Sequence, residues 1–183
     1  MSGYIFLDRD GTLVRDTGYP HRPEECELLP GVAEGLRQLA AAGWRFAIVT
    51  NQSGIGRGYF GESAYRAFQR RLLAELAAQG VEIAGSFFCP HRPDAGCACR
   101  KPAPGLLYRA RAQLGATLGR SWLIGDRPAD AEAALRAGCR GAILVGAPPA
   151  QSGADSPQAL PDGVRRVRDL PAAAALILQS GGA

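Results

Sequence analysis

Tyr4-Ile5-Phe6-Leu7 runs directly into Asp8-Arg9-Asp10-Gly11-Thr12. Four apolar residues followed by an acidic, Gly-containing turn read as a short buried strand that ends in a loop. The same pattern returns twice. Arg45–Val49 leads into the polar turn Thr50–Gly58, and Ser121–Ile124 leads into Gly125-Asp126. Between these strands the apolar spacing turns helical. Val32, Leu36, Leu39 and Ala40 share one face, with Gly43 as the stop. Glu62–Gln79 is a long amphipathic helix carrying Tyr65, Phe68, Leu72, Leu73 and Leu76, and Gly80 ends it. Gly105–Leu114 and Ala129–Ala137 are further helices, the second stopped by Gly138. Val81–Phe88 contains another strand and Ala142–Val145 is the last clear one. Asp16–Pro30 and Cys89–Pro104 are loops, Gly146–Gly163 is a surface segment, and Pro171–Leu178 is a short closing helix.

Alternating strands and helices predict an α/β fold. It is Rossmann-like, a three-layer α/β/α arrangement around a mainly parallel sheet. With 183 residues the chain has room for one domain, 1–183, and no cap domain fits between the motifs. Ligands of such sheets bind outside the carboxyl ends of the strands. Asp8, Asp10, Thr50 and Asp126 are therefore expected to meet at one edge.

Composition excludes several classes. No apolar run approaches the ~18–20 residues of a membrane span. Met1–Leu7 has no basic stretch ahead of an apolar one, so no secretory signal is expected and the chain is read as cytoplasmic. Net charge is +4, but the positive residues are scattered, which argues against nucleic acid. Of 21 basic residues only one is Lys, Lys101. A compact ammonium at a single place, in a chain that otherwise uses Arg, marks that place for a point charge.

Two carboxylates at one strand end repel each other unless a cation or a proton sits between them. Mg²⁺ takes oxygen ligands from one or two carboxylates plus phosphate. Asp126 offers a third oxygen, Thr50 a hydroxyl and Lys101 a positive charge. Such a set suits phosphoryl transfer, which needs in-line attack and neutralisation of charge on the equatorial oxygens.

Four segments carry a family resemblance. Phe6–Leu13 (F-L-D-R-D-G-T-L), Val49–Asn51 (V-T-N), Arg100–Pro102 (R-K-P) and Gly125–Asp130 (G-D-R-P-A-D) resemble, in order, the four motifs of the haloacid dehalogenase superfamily of phosphatases. The resemblance implies Asp8 as nucleophile, forming an aspartyl-phosphate, and Asp10 as general acid and then base. It implies Thr50 and Lys101 as holders of the phosphoryl oxygens. Mg²⁺ would be bound by Asp8, the backbone carbonyl of Asp10, and Asp126. Asp130 is either a support for the metal or Lys101, or an acid in a helix first turn.

Cys89, His91, Cys97 and Cys99 form C-x-H-x5-C-x-C. Thiolates and imidazole at this density suit a closed, tetrahedral, structural Zn²⁺. A disulfide is the competing reading, which a cytosolic chain disfavours. The metal would stiffen a loop poor in apolar residues and fix Arg100 and Lys101 behind it.

Without a cap, selectivity must come from loops. Arg57 and Arg100 add positive charge near the phosphate site and suggest a second anionic group on the substrate. Within the superfamily the chain most resembles phosphatases acting on the C7 phosphate of D-glycero-D-manno-heptose 1,7-bisphosphate. The supporting segments are Asp16–Tyr19, Thr50–Phe60 and Cys97–Gly105. That resemblance implies substrate contacts from Asp16, Gly18, Tyr19, Asn51, Gln52, Ser53, Arg100 and Arg127, the last standing where many relatives have Lys. Histidinol-phosphate phosphatases, which share the zinc loop, are the alternative. A binding module without catalysis is disfavoured by the intact acid set. The expected partner is a small phosphorylated sugar, with no nucleic acid or membrane, and the chain is read as a monomer. His21, in the Gly18–His21 loop, is read as a solvated loop residue, with contact to substrate the alternative.

Overall fold

A computed structural model describes residues 3–147 and 160–181. Its strands are β1 (Tyr4–Leu7), β2 (Arg45–Asn51), β3 (Ile83–Cys89), β4 (Trp122–Gly125), β5 (Gly141–Val145) and β6 (Val164–Val167). Its helices are α1 (Val32–Ala41), α2 (Ser53–Gly56), α3 (Glu62–Ala78), α4 (Gly105–Leu114), α5 (Pro128–Ala137) and α6 (Leu170–Gln179). The sheet order is β3-β2-β1-β4-β5-β6, and every neighbouring pair is parallel.

Strand alternation divides the core in two. Ile5, Leu7, Phe46, Ile48, Ile124 and Ile143 point into one layer with Leu36 of α1, Leu72 of α3 and Ile177 of α6. Tyr4, Phe6, Ala47, Val49, Leu123 and Leu144 point the other way, onto Leu106 of α4 and Ala134 of α5. Each fully buried Leu, Ile or Phe contributes about 1.5–3 kcal/mol. Both faces of the central strands are apolar for this reason, and the three-layer expectation holds.

The chain leaves β1 toward β2 and β3, then returns to the other side of β1 as β4. A crevice opens at that reversal, outside the carboxyl ends of β1 and β4. Asp8 follows β1, its N–H donating to the Ile124 carbonyl of β4 at 2.9 Å. Two elements depart from the sequence reading. The turn after β2 contains the single helical turn α2, and Val164–Val167 is a sixth strand. Residues 148–159 of the expected surface segment lie outside the described residues. The closing helix is present and packs α6 against α1 through the shared core. Among the described residues, no helix is long and apolar enough to cross a membrane.

Candidate active site

Lys101 sits at the centre of the crevice and is 4% exposed. Its Nζ contacts Asp8 Oδ1 at 2.9 Å and Asp130 Oδ1 at 2.6 Å, and donates to the Val49 carbonyl at 2.7 Å. Burial by itself would lower the ammonium's pKa. Asp130 and then Asp8 more than reverse that and hold it up at about 12. Asn51, ending β2, clamps the lysine's backbone in both directions. Its amide donates to the Lys101 carbonyl, and its oxygen accepts the Lys101 N–H, each at 3.0 Å. Asp130 is the third residue of α5, after Pro128, and Asp130 Oδ2 accepts the Arg127 N–H at 3.0 Å. One carboxylate therefore caps a helix and pairs with the ammonium. A Cβ on Gly125 would strike that carboxyl, so β4 must end in glycine.

Asp8 Oδ1 also accepts the Arg9 N–H at 2.8 Å. Asp10 turns toward a different set. Its Oδ1 accepts from Arg9 Nε at 2.7 Å, and its Oδ2 from Arg9 Nη2 at 3.0 Å and Gln52 Nε2 at 2.9 Å. Burial pushes the Asp10 pKa up, Arg9 opposes it and Asp8 adds to the rise. Gln52 Nε2 also donates to Thr50 Oγ1 at 2.9 Å.

Asp126 completes the acid set. One oxygen from each of Asp8, Asp126 and Asp130 can be chosen so that all lie within 4.8 Å of one another. Asp126 Oδ1 is buried without a hydrogen-bond partner. Burial, then Asp8 and Asp130, push its carboxyl up to about 7, against the opposing pull of Arg127. Gly11, at φ +77°, carries the backbone past this carboxylate, and a Cβ there would lie 2.6 Å from Asp126 Oδ2. An orphaned carboxylate oxygen among mutually repelling acids fits a hard divalent cation.

Cys89 Sγ lies 3.6 Å from Cys97 Sγ and 3.3 Å from Cys99 Sγ, with Cys97 and Cys99 3.6 Å apart. His91 Nδ1 is 3.5 Å from Cys89 Sγ and 3.3 Å from Cys99 Sγ. A tetrahedron with Zn–S bonds of about 2.3 Å has edges of about 3.8 Å, so the four donors fit one zinc ion. No disulfide links the five cysteines.

The remaining residues of the sequence reading divide between the rim and the interior. Asp16 Oδ2 accepts from Arg127 Nη2, and Asp16 Oδ1 from the Gly18 N–H, both at 2.9 Å. Tyr19 is exposed and sits at φ +59°, packed edge-on against exposed Tyr59 at 5.1 Å between ring centroids. Arg57 is exposed, and Arg100 is half-buried with Nη1 unpartnered. Ser53 is buried at the start of α2. Gln52 lies inside rather than on the rim, its amide spent on Arg9, Asp10 and Thr50. His21 stands half-exposed on its loop, and its ring also stacks on Phe60 at 4.5 Å, which ties the two rim loops together. Arg9 and Tyr59 were not singled out by the sequence reading. For Arg9 a signal existed, since alternation along β1 turns position 9 away from positions 8 and 10, toward α3.

Known proteins resemble this chain in sequence and in fold. The HAD-hydrolase-like family model, HAD denoting haloacid dehalogenase, matches residues 98–170. The D-glycero-beta-D-manno-heptose-1,7-bisphosphate 7-phosphatase of Yersinia pestis is 40% identical over 148 residues, covering 77% of this chain and 79% of the relative. The enzyme of that name from Escherichia coli K12 is 38% identical over 148 residues, covering 77% and 78%. The crystal structure of D,D-heptose 1,7-bisphosphate phosphatase from B. bronchiseptica, complexed with magnesium and phosphate, superposes with a TM-score of 0.85. Identity there is 35%, over 98% of this chain and 100% of that one.

Proposed function

Because the chain belongs to the D-glycero-D-manno-heptose-1,7-bisphosphate 7-phosphatase family of the haloacid dehalogenase superfamily, we propose that it hydrolyses the C7 phosphate of that sugar bisphosphate. The products are the heptose 1-phosphate and inorganic phosphate. The Yersinia pestis and Escherichia coli relatives are named for the β anomer, which makes it the first candidate substrate. The observation that carries the reading is the buried contact of Lys101 with Asp8 beside the orphaned Asp126 oxygen.

Both contacts on Asp8 fall on Oδ1, which leaves Oδ2 to attack phosphorus in line. Asp10 protonates the departing C7 oxygen, then takes a proton from the water that hydrolyses the aspartyl-phosphate. Lys101 and the Thr50 hydroxyl hold the equatorial oxygens as charge builds on them. Mg²⁺, held by Asp8, Asp126 and the Asp10 carbonyl, supplies charge neutralisation for nucleophile and phosphate. Asp16, Gly18, Tyr19, Ser53, Arg57, Arg100 and Arg127 form the wall that receives the sugar and its second phosphate, with Gln52 and the Lys101 clamp Asn51 supporting them from within. The chain is read as a monomer working in the cytoplasm, where its thiols stay reduced.

Histidinol phosphate is the competing substrate. It is a cation with one phosphate, and Arg57, Arg100 and Arg127 disfavour it. Phosphate release is measured with Mg²⁺ on both anomers of the heptose bisphosphate and on histidinol phosphate. We expect kcat/KM at least about tenfold higher for a heptose anomer, one or two charge-assisted hydrogen bonds being at stake. A higher value for histidinol phosphate overturns the substrate and leaves the chemistry standing.

We also assign Cys89, His91, Cys97 and Cys99 to a structural Zn²⁺ that anchors the strand of chain carrying Arg100 and Lys101. Cys99→Ser removes a thiolate one residue before Arg100. Bound zinc measured by elemental analysis is expected to fall at least tenfold, with a lower melting temperature and reduced turnover. Unchanged zinc and melting would refute the assignment.

A further inference from the structure

Arg9 is a full positive charge at 0% exposure, and the chemistry above leaves it without a task. Its guanidinium carbon lies 4.4 Å from the Phe68 ring centroid and 5.6 Å from that of Tyr65, both on α3. Every hydrogen bond it makes leads back to the crevice. Nε and Nη2 grip the two Asp10 oxygens, at 2.7 and 3.0 Å. Nη2 also donates to Gln52 Oε1 at 3.0 Å and to the Pro20 carbonyl at 2.8 Å. Gln52 closes the circuit by donating to both Asp10 Oδ2 and Thr50 Oγ1. Pro20 follows Tyr19 in the rim loop, so one guanidinium is bonded to the acid, to the amide under Thr50 and to the loop that faces the sugar.

A purely structural reading makes Arg9 a core residue that happens to be paired. Energetics argue against that as its reason for being there. A buried ion pair is often no better than well-packed apolar residues of the same volume. The position lies against two aromatic rings of α3, where Leu or Met would pack without any desolvation cost. What an apolar residue could not do is hold a carboxylate by two parallel N–H bonds, which fixes the plane of that carboxylate as well as its place.

From this network we propose that Arg9 is a positioning residue for phosphoryl transfer. It orients the Asp10 carboxylate and joins it, through Gln52 and Pro20, to Thr50 and the rim loop. The inference rests on the reading of Asp10 as acid and base. Arg9 touches neither substrate nor phosphate and acts through Asp10.

The test uses the full chain with Mg²⁺ and two substrates, the heptose 1,7-bisphosphate and p-nitrophenyl phosphate. The aryl ester leaves without a proton, so its kcat/KM does not need Asp10 well placed. Arg9→Met is expected to lose about 100-fold in kcat/KM on the sugar and less than about fivefold on the aryl ester. Arg9→Lys restores the charge but not the fork, and is expected to melt closer to wild type while remaining slow on the sugar. Arg9→Met leaves a buried carboxylate unpaired and threatens the fold. A second comparison, in which both charges are gone, removes that difficulty. If Arg9 works through Asp10, adding Arg9→Met to Asp10→Asn costs less than about threefold more. Losses that are equal on the two substrates, or that multiply fully with Asp10→Asn, overturn the proposal and leave Arg9 a core residue. A wild-type protein that cleaves the aryl ester but not the sugar refutes the substrate instead. The Arg9 comparison with Asp10→Asn is then read on the aryl kcat, where the hydrolytic half-reaction still needs Asp10, and is judged by the same threefold limit.

Discussion

Asp8→Asn is expected to give a folded protein whose phosphate release falls by at least about 10⁴-fold, and whose stability without Mg²⁺ equals or exceeds that of the wild type. The two halves of this result have separate causes. Asn keeps the volume and can still accept the Arg9 N–H and the Lys101 ammonium through its oxygen. It has no carboxylate oxygen to form a bond to phosphorus, so the first covalent step is lost. Lys101 retains Asp130 at 2.6 Å, so its charge stays compensated. Meanwhile one of three mutually repelling acids has gone from a cluster whose ligand oxygens lie within 4.8 Å. Thermal melts with and without Mg²⁺ read the second half: the rise in melting temperature on adding Mg²⁺ should shrink. Turnover within tenfold of wild type would remove Asp8 from its role as nucleophile.

The parts of this site that the sequence displayed are those that close a strand. Asp8, Thr50 and Asp126 each follow an apolar run, and in a parallel sheet every such run ends on the same edge. Lys101 was visible because the chain contains no other lysine. The cysteine cluster was visible because its donors are close in sequence. What stayed hidden depends on contacts between distant segments. Arg is by default a surface residue; alternation gives the side on which Arg9 falls, but nothing local says that Phe68 and Tyr65 of α3 will pack against its guanidinium. Gln52 adjoins Thr50 in a polar turn, and its inward direction is set by Arg9 and Asp10, some forty residues away. His21 is held by Phe60, which belongs to the other rim loop. The strand Val164–Val167 is not legible in the sequence because V-R-R-V has two central arginines; among the described residues it pairs with β5 alone, so it lacks the apolar run of the inner strands.

Lys101→Met should damage stability and catalysis together, and a second substitution should separate them. Met fills the volume of the lysine stem but leaves Asp8 and Asp130 facing each other, buried and without a cation. Breaking a buried pair in this way costs about 3–5 kcal/mol. Loss of a fixed positive charge on the phosphoryl oxygens costs a further factor of about 10²–10³ in kcat. Adding Asp130→Asn removes one of the two stranded charges and with it their mutual repulsion, so Lys101→Met/Asp130→Asn should regain part of the stability and none of the activity. The pH dependence has a definite sign. The ammonium is held up at about 12 in the folded protein against 10.5 for the free group. A raised cationic pKa gives stabilisation that is fully present below 10.5 and is lost as pH climbs through about 12. Denaturation midpoints measured from pH 8 to 11.5 should therefore show a constant gap between wild type and Lys101→Met up to about pH 10.5. The gap should then narrow. Acidification should favour the variant, because its unpaired acids become neutral. A variant that loses activity while keeping wild-type stability at pH 8 would mean that Lys101 meets the phosphate without holding Asp8 and Asp130 in place.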